Sequence, residues 1–368
     1  MAMPHLHAQE EAVSAEAIQA VLLTSDLFGV LLQQLGALRN SPRPVPFRRD
    51  LGFDRSASAA LRLVSRGMRE LIDSVVPQLA VPVHKGTGIS LESGLPRFAA
   101  SLLDLTGYME HLGDPSEVRD LASVELPCLD KLKLVGSTLI SLAWKMPVLH
   151  PGTAARLREV RLSFGDLRDI EAIGCCQALR LLSLPRCNEL RDLGCLRSCR
   201  QMQRLHLYEC YELVNLGDLR KCSNLTAFSI SECPQISSLA ALSGCSQLTY
   251  LSMSDLNDVA DLTPLQALPL RSLSLYGLDS TPDISPLSAL SQLSELRLES
   301  HWALSCVGAP TQLLVIDIDD CKALADLNPL RACRLLEDVS MRRCTGVSSL
   351  APLGGLPCLA KLRMAVQV

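Results

Sequence analysis

From Leu129 onward the chain repeats one template, L-x-x-L-x-L-x-x-C-x-x-L-x-x-L-x-x-L-x-x-C, and this constrains the fold more than any other feature. Blocks open at Leu129, Leu157, Leu179, Met202, Leu225, Leu248, Leu270, Leu293, Leu313, Leu336 and Leu359. The step is 23 residues six times and 22 twice, with one of 28 and one of 20. One block reads Met202, Leu205, Leu207, Cys210, Leu213, Leu216, Leu219, Cys222, and the next reads Leu225, Phe228, Ile230, Cys233, Ile236, Leu239, Leu242, Cys245. Such regularity marks an internal repeat in which each unit buries its apolar side only against its neighbours. The first half of each block ends in period-two alternation, so it predicts a short strand with its leucines inward. The second half steps every three residues, which suits a turn of 3₁₀ helix or extended chain.

This template resembles the leucine-rich repeat family, in its short, cysteine-containing class, over about two thirds of the chain. The resemblance implies an α/β fold: a curved right-handed solenoid with a parallel sheet on its concave face and a mostly 3₁₀ or extended convex side, preceded by a small helical cap. It also implies a protein-binding role for the outward positions of the strands.

The cysteines follow from the template. Ten of the fifteen fall in two columns. Cys187, Cys210, Cys233, Cys321 and Cys344 follow the strand, where the family uses Asn or Cys, and Cys176, Cys199, Cys222, Cys245 and Cys333 close the block. Leucine substitutes at Leu256 and Leu278 in the first column and at Leu268 and Leu356 in the second, so the requirement is an apolar plug. Buried thiols acting as small hydrophobes are expected rather than a metal site, because zinc needs four convergent ligands and not a linear ladder. The block from Leu293 to Leu313 is only 20 residues long and carries His301, Trp302 and Pro310. A shortened repeat is expected to kink the stack or eject a loop. It is either a tolerated irregularity or a place where Trp302 makes a contact.

The rest of the chain divides into three parts. Residues 1–16 are polar and expected to be disordered. Residues 17–80 carry two apolar runs at helical spacing. Residues 81–127 form a connector in which Ser101-Leu102-Leu103-Asp104-Leu105 resembles a degenerate first strand, and residues 128–368 hold about eleven repeats. The first run, Leu23-Thr24-Ser25-Asp26-Leu27-Phe28-Gly29-Val30-Leu31, and the second, Leu61-Arg62-Leu63-Val64-Ser65-Arg66-Gly67-Met68-Arg69-Glu70-Leu71, together resemble an F-box. Thr24 stands where that motif has proline, Ser65 where it has cysteine and Met68 where it has tryptophan, and the connecting segment is longer. Two readings stand: a helical cap for the first repeat, or an F-box. The second implies docking of a Skp-type adaptor through Leu27, Leu31, Leu63, Val64 and Met68.

Net charge of -4 argues against a general nucleic-acid binder, which needs a basic footprint. No apolar stretch approaches the roughly 18–20 residues of a membrane span. Glu10, Glu11, Glu16 and Asp26 do not fit a secretory or transit peptide, so a cytoplasmic location is expected. No G-x-S-x-G, P-loop, H-E-x-x-H or C-x-x-C pattern occurs. No catalytic residue, cofactor or metal is therefore expected, and a non-enzymatic interaction protein is, either a monomer or a subunit of a complex.

The template assigns the outward surface residue by residue. A middle column runs Lys133, Arg161, Ser183, His206, Ser229, Ser252, Ser274, Arg297, Asp317, Ser340 and Arg363. Flanking columns add Tyr208, Tyr250 and Tyr276, then Glu295, Glu299, Asp319 and Asp338. Three zones are expected: a basic start, a serine and tyrosine floor, and an acidic patch, followed by Arg342, Arg343, Lys361 and Arg363. Stiff tyrosines among small polar neighbours suit adaptable protein recognition. The contact candidates are Arg161, His206, Tyr208, Tyr250, Tyr276, Glu295, Arg297, Glu299, Asp317 and Asp319. The partner is the substrate of a cullin-based ubiquitin ligase if the F-box reading holds. Otherwise it is the target of a cyclase- or phosphatase-regulator-like protein, or a neighbour in a scaffold. The final strand, with no polar capping repeat after it, is expected to expose apolar side chains, either under a partner or because the chain is a shortened relative of a longer protein.

Overall fold

The computed structural model describes residues 78–80, 102–104 and 125–365, apart from 127, 136–143, 147, 279–280, 282 and 309. The expected disordered segment and both F-box-like runs, with Leu27, Leu31, Leu63, Val64 and Met68, lie outside the described residues.

The strands are β1 (Gln78–Ala80), β2 (Leu102–Asp104), β3 (Lys131–Val135), β4 (Trp144–Lys145), β5 (Glu159–Ser163), β6 (Leu167–Asp169), β7 (Leu181–Pro185), β8 (Arg204–Tyr208), β9 (Ala227–Ser231), β10 (Tyr250–Ser254), β11 (Ser272–Tyr276), β12 (Glu295–Glu299), β13 (Val315–Asp319), β14 (Asp338–Arg342) and β15 (Lys361–Ala365). Thirteen of them form one parallel sheet in chain order, while β4 and β6 pair separately. Among the described residues the sheet begins two strands before the repeat template becomes regular. Strand β2 is the degenerate strand expected in the connector. Strand β1 occupies the last three residues of the stretch 17–80 expected to be helical, so that stretch ends in sheet and not in helix.

Within the five-residue strands from β3 to β14 the second and fourth residues point into the core, as Leu205 and Leu207 do on β8 and Phe228 and Ile230 on β9, whereas on β15 Leu362 and Met364 are exposed. Parallel sheets are usually covered on both faces. Here each connection folds back behind the sheet on one side only, so on the five-residue strands from β3 to β14 the odd-numbered positions, apart from Leu181 and Asp319, stay partly or fully open to solvent. The convex half carries 3₁₀ turns at Glu171–Cys175, Gly194–Ser198, Leu219–Lys221, Ala240–Leu242, Thr263–Leu265, Ser285–Ala289 and Asn328–Ala332. Several start on a carboxylate that accepts the backbone N–H two residues on: Asp261 from Thr263, Asp283 from Ser285 and Asp326 from Asn328, each at 2.8 Å. Hydrogen bonds from the Thr263 backbone and hydroxyl hold the Asp261 carboxyl below the usual aspartate value, and those from the Ser285 hydroxyl and backbone do the same for Asp283. One α-helical turn, Pro151–Ala154, precedes the regular array.

The cysteine columns are hydrogen-bonded as well as buried, with Cys344 only half-buried. In the column after the strand, Cys187 Sγ donates to Leu162 O at 3.5 Å, Cys210 to Leu184 O at 3.2 Å and Cys344 to Ile318 O at 3.6 Å. In the closing column Cys199 reaches Ile173 O at 3.4 Å, Cys222 Leu196 O at 3.3 Å and Cys333 Pro310 O at 3.2 Å. Each bond crosses to the preceding repeat, so the thiol is both plug and donor. Burial pushes the Cys176, Cys222 and Cys321 thiols up to about 12.

The short block does not break the sheet. Leu296 pairs with Ile316 and Arg297 with Asp317 in unbroken register, so the missing residues come from the convex half and no kink or loop interrupts the strands. His301 takes the ladder position there. It is buried, and its Nε2 lies 3.1 Å from Leu275 O, as a cysteine donor does elsewhere. Trp302 follows it in an exposed turn.

Immediately after the strands stands a left-handed residue that the template did not disclose. Arg186, Glu209, Glu232, Asp255, Ser300, Asp320 and Arg343 have φ between 51° and 59°, and Gly277 takes the same place at 56°. Each donates its N–H to the last carbonyl of the next strand, from Arg186 to Tyr208 O (2.7 Å) through to Arg343 and Ala365 O (2.9 Å). The bond offsets the steric cost of this backbone region for a residue with a Cβ. We expect Ser300→Gly to leave stability within about 1 kcal/mol of the parent and Ser300→Val to lose about 1–3 kcal/mol, measured by urea unfolding.

The thiols give a second check. Cys128, Cys175 and Cys358 are exposed, and nine of the cysteines are buried. In the folded chain a thiol reagent should modify these three fastest, and the nine only on unfolding.

Candidate functional site

The open sheet face is the candidate contact surface, and the strand register builds it directly. Lys133 pairs with Arg161, Arg161 with Ser183, Ser183 with His206, and His206 with Ser229. The column continues through Ser252, Ser274, Arg297, Asp317, Ser340 and Arg363 without a slip. Asp104 on β2 extends it by one strand. The middle column expected from the template is therefore contiguous, at the roughly 4.8 Å spacing of neighbouring strands.

The three tyrosines do not share one column. Tyr208 and Tyr276 end their strands, three strands apart, while Tyr250 opens β10 on the other side of the serine column. Their exposures are 40%, 38% and 40%, well above those of core residues and high for large rings on a sheet. Between them Ser229, Ser252 and Ser274 are half-buried and offer only hydroxyls. The rings thus rise on either side of a low polar floor.

The charged ends differ from the expected zones. Asp319 is buried, paired with Arg343 at 2.8 Å and with Arg342 at 3.4 Å, so it is not the free contact the sequence suggests. Arg342 also reaches Asp317 at 3.4 Å. Asp338 is held by Arg363 at 3.2 Å and Lys361 at 4.0 Å. Part of the acidic patch is thus paired with the basic end in two groups, Asp317 and Asp319 with Arg342 and Arg343, and Asp338 with Lys361 and Arg363. Glu295, Glu299 and Arg297 on β12 are more open, with Glu295 accepting a hydrogen bond from Ser272 at 3.3 Å. At the other end Lys131 pairs with Glu159 at 3.4 Å. His206 lies between Arg204 and Arg161; partial burial, then these two charges, lowers its pKa and keeps it neutral near pH 7.

Sequence reasoning missed an acidic rim. The left-handed residues Glu209, Glu232 and Asp255 line the exit edge beside Tyr208 and Tyr211. The Tyr211 hydroxyl donates to Glu232 Oε2 at 3.4 Å, and Glu209 pairs with Arg186 at 3.2 Å. A hydrogen bond with Glu209 pushes the Tyr208 phenol up to about 12. The signal was present one position beyond each strand, where only the left-handed turn makes these side chains neighbours of the tyrosines. Among the described residues no group of three or more His, Cys, Asp or Glu side chains is placed to hold a metal ion. No helix among them is long and apolar enough to cross a membrane.

No family model matches the chain, and no curated protein does. Solved structures similar to it include an internalin (InlF) from Listeria monocytogenes, 17% identical, covering 85% of this chain and 96% of that one at a TM-score of 0.42. The leucine-rich repeat domain of the type III effector XopL is 19% identical over 65% of this chain and 77% of its own, with a TM-score of 0.42. The functional domain of InlJ from Listeria monocytogenes, described as including a cysteine ladder, is 19% identical over 75% and 66%, with a TM-score of 0.37. The register, the buried columns and the one-sided sheet carry the assignment independently: the chain folds as a leucine-rich repeat solenoid.

Proposed function

We propose that the chain is a non-enzymatic interaction module that holds a protein partner on the concave face, over strands β8 to β12. The supporting observation is the open, in-register serine floor flanked by Tyr208, Tyr250 and Tyr276. Large rings lose little conformational freedom on binding, and small hydroxyls adapt to the partner's polar groups. Arg161, His206, Glu295, Arg297, Glu299 and Asp317 would orient association more than strengthen it. The fifteen free cysteines support a reducing, cytoplasmic setting. In an affinity capture from its own cells, the full chain should retain a partner that Tyr208→Ala/Tyr250→Ala/Tyr276→Ala loses by at least tenfold. Glu295→Gln/Arg297→Gln should lose less. Equal capture by the tyrosine variant, with its circular dichroism unchanged, would refute the assignment.

The finer reading is that of an F-box-type substrate receptor in a cullin-based ubiquitin ligase, resting on the motif around Leu27, Leu31, Leu63, Val64 and Met68. The solenoid would then present its target while other subunits carry out the transfer. A cyclase- or phosphatase-regulator-like role and a scaffold role share the concave face but need no adaptor. Full-length chain should bind a purified Skp-type adaptor and lose it in Leu27→Asp/Val64→Asp; absence of binding by the folded parent chain leaves the regulator and scaffold readings.

A further inference from the structure

The convex side holds a second feature that the concave face does not explain. Where two successive blocks turn back toward the sheet, a cavity of about 600 Å³ is lined by Gln177, Arg197, Ser198, Arg200, Gln201, Asp218 and Lys221. Its walls come from the turn before β7, the end of the 3₁₀ turn Gly194–Ser198 with the residues after it, and the 3₁₀ turn Leu219–Lys221.

Arg331 and Arg334 recur at the positions of Arg197 and Arg200 in a later block, but Gly355 stands there in place of Lys221, so the full set of three cations falls at these blocks. Arg197 and Ser198 occupy the same template positions as Arg220 and Lys221 one block later. In the next three blocks those positions are Ser243 and Gly244, Gln266 and Ala267, and Ser288 and Ala289, none of them charged. The single acid in the lining, Asp218, is paired with Arg220 at 2.8 Å. Elsewhere on this side arginines are matched across repeats, as Arg191 is with Glu212 at 3.1 Å and Arg168 with Glu189. Arg197, Arg200 and Lys221 line the cavity with one carboxylate, Asp218, whose ion pair goes to Arg220 outside the lining. Three cations converging on one concavity raise the local concentration of anions. Two of them are guanidinium groups, whose planar fork matches two phosphate oxygens at once. Ser198 and Gln177 add neutral hydrogen-bonding groups, and the volume falls in the ordinary range for a small-molecule site.

We infer that this cavity binds a small polyphosphate anion, with Arg197 and Arg200 gripping phosphate oxygens and Lys221 supplying a third positive charge. The site is separate from the tyrosine face and would operate whatever protein that face holds.

Calorimetric titration of the full chain with tripolyphosphate at low ionic strength tests it, with inorganic phosphate as the single-phosphate comparison. Tripolyphosphate should bind at least tenfold more tightly than inorganic phosphate, and added salt should weaken it. Arg197→Ala/Arg200→Ala/Lys221→Ala should lose at least tenfold in affinity with unchanged circular dichroism, whereas Arg191→Gln, on the same side but outside the cavity, should not. Absence of tripolyphosphate binding at millimolar concentration overturns the inference. So does binding that the triple variant retains in full.

Discussion

Every repeat depends on the repeats beside it. A coil of about 23 residues cannot enclose its own leucines, so the parallel strand ladder and the leucine stack behind it form a single structure from β3 to β14. Truncating one buried leucine to alanine in such a stack costs about 2–5 kcal/mol. That is a large part of a net stability of about 5–15 kcal/mol. The mutual dependence explains why the core positions scarcely vary in type while the outward positions range from serine to tyrosine to arginine.

The same constraint governs the polar atoms. A chain that leaves a strand and turns sharply behind the sheet strands its backbone carbonyls in an apolar interior, where an unmet acceptor is costly. Two devices answer this. Thiols at the two cysteine columns, and His301 in the short block, reach back to carbonyls of the preceding repeat. Left-handed residues reach forward with their N–H to the following strand. Each repeat is therefore tied in both directions at the bend. Where leucine takes the cysteine place, at Leu256 and Leu278, packing alone remains, and the left-handed bonds of Asp255 and Gly277 persist beside it.

Most of this fold was legible because a repeat states its rule many times over. Spacing fixed the strands, their inward residues and the outward columns, and the register reproduces the middle column residue for residue. What was not legible lay off the template. Strand β1 sits at residues 78–80, just after the second apolar run, where the template offers no strand signal. His301 was read only as part of a shortened block, yet its ring nitrogen lies against a carbonyl of the preceding repeat where a thiol does elsewhere. The ion pairs of Asp317, Asp319 and Asp338 depend on cross-strand reach that a list of columns does not contain. The rim of Glu209 and Glu232 depends on a backbone turn that Arg, Glu, Asp and Ser all adopt here, with no glycine pattern to announce it.

The proposed function rests on which side of the sheet is left uncovered. The convex connections leave one face of a long parallel sheet open, and on that face serines and tyrosines stand in register where a partner can reach them. The account thus rests on the register itself. Spin labels at Ser183→Cys on β7 and Arg297→Cys on β12, with exposed Cys128, Cys175 and Cys358 replaced by serine, test it most directly by their separation. Five in-register strand steps require one narrow distance distribution near about 24 Å, apart from label length. A broad distribution, or one centred well beyond 35 Å, would contradict the continuous ladder on which both the fold and the proposed binding face depend.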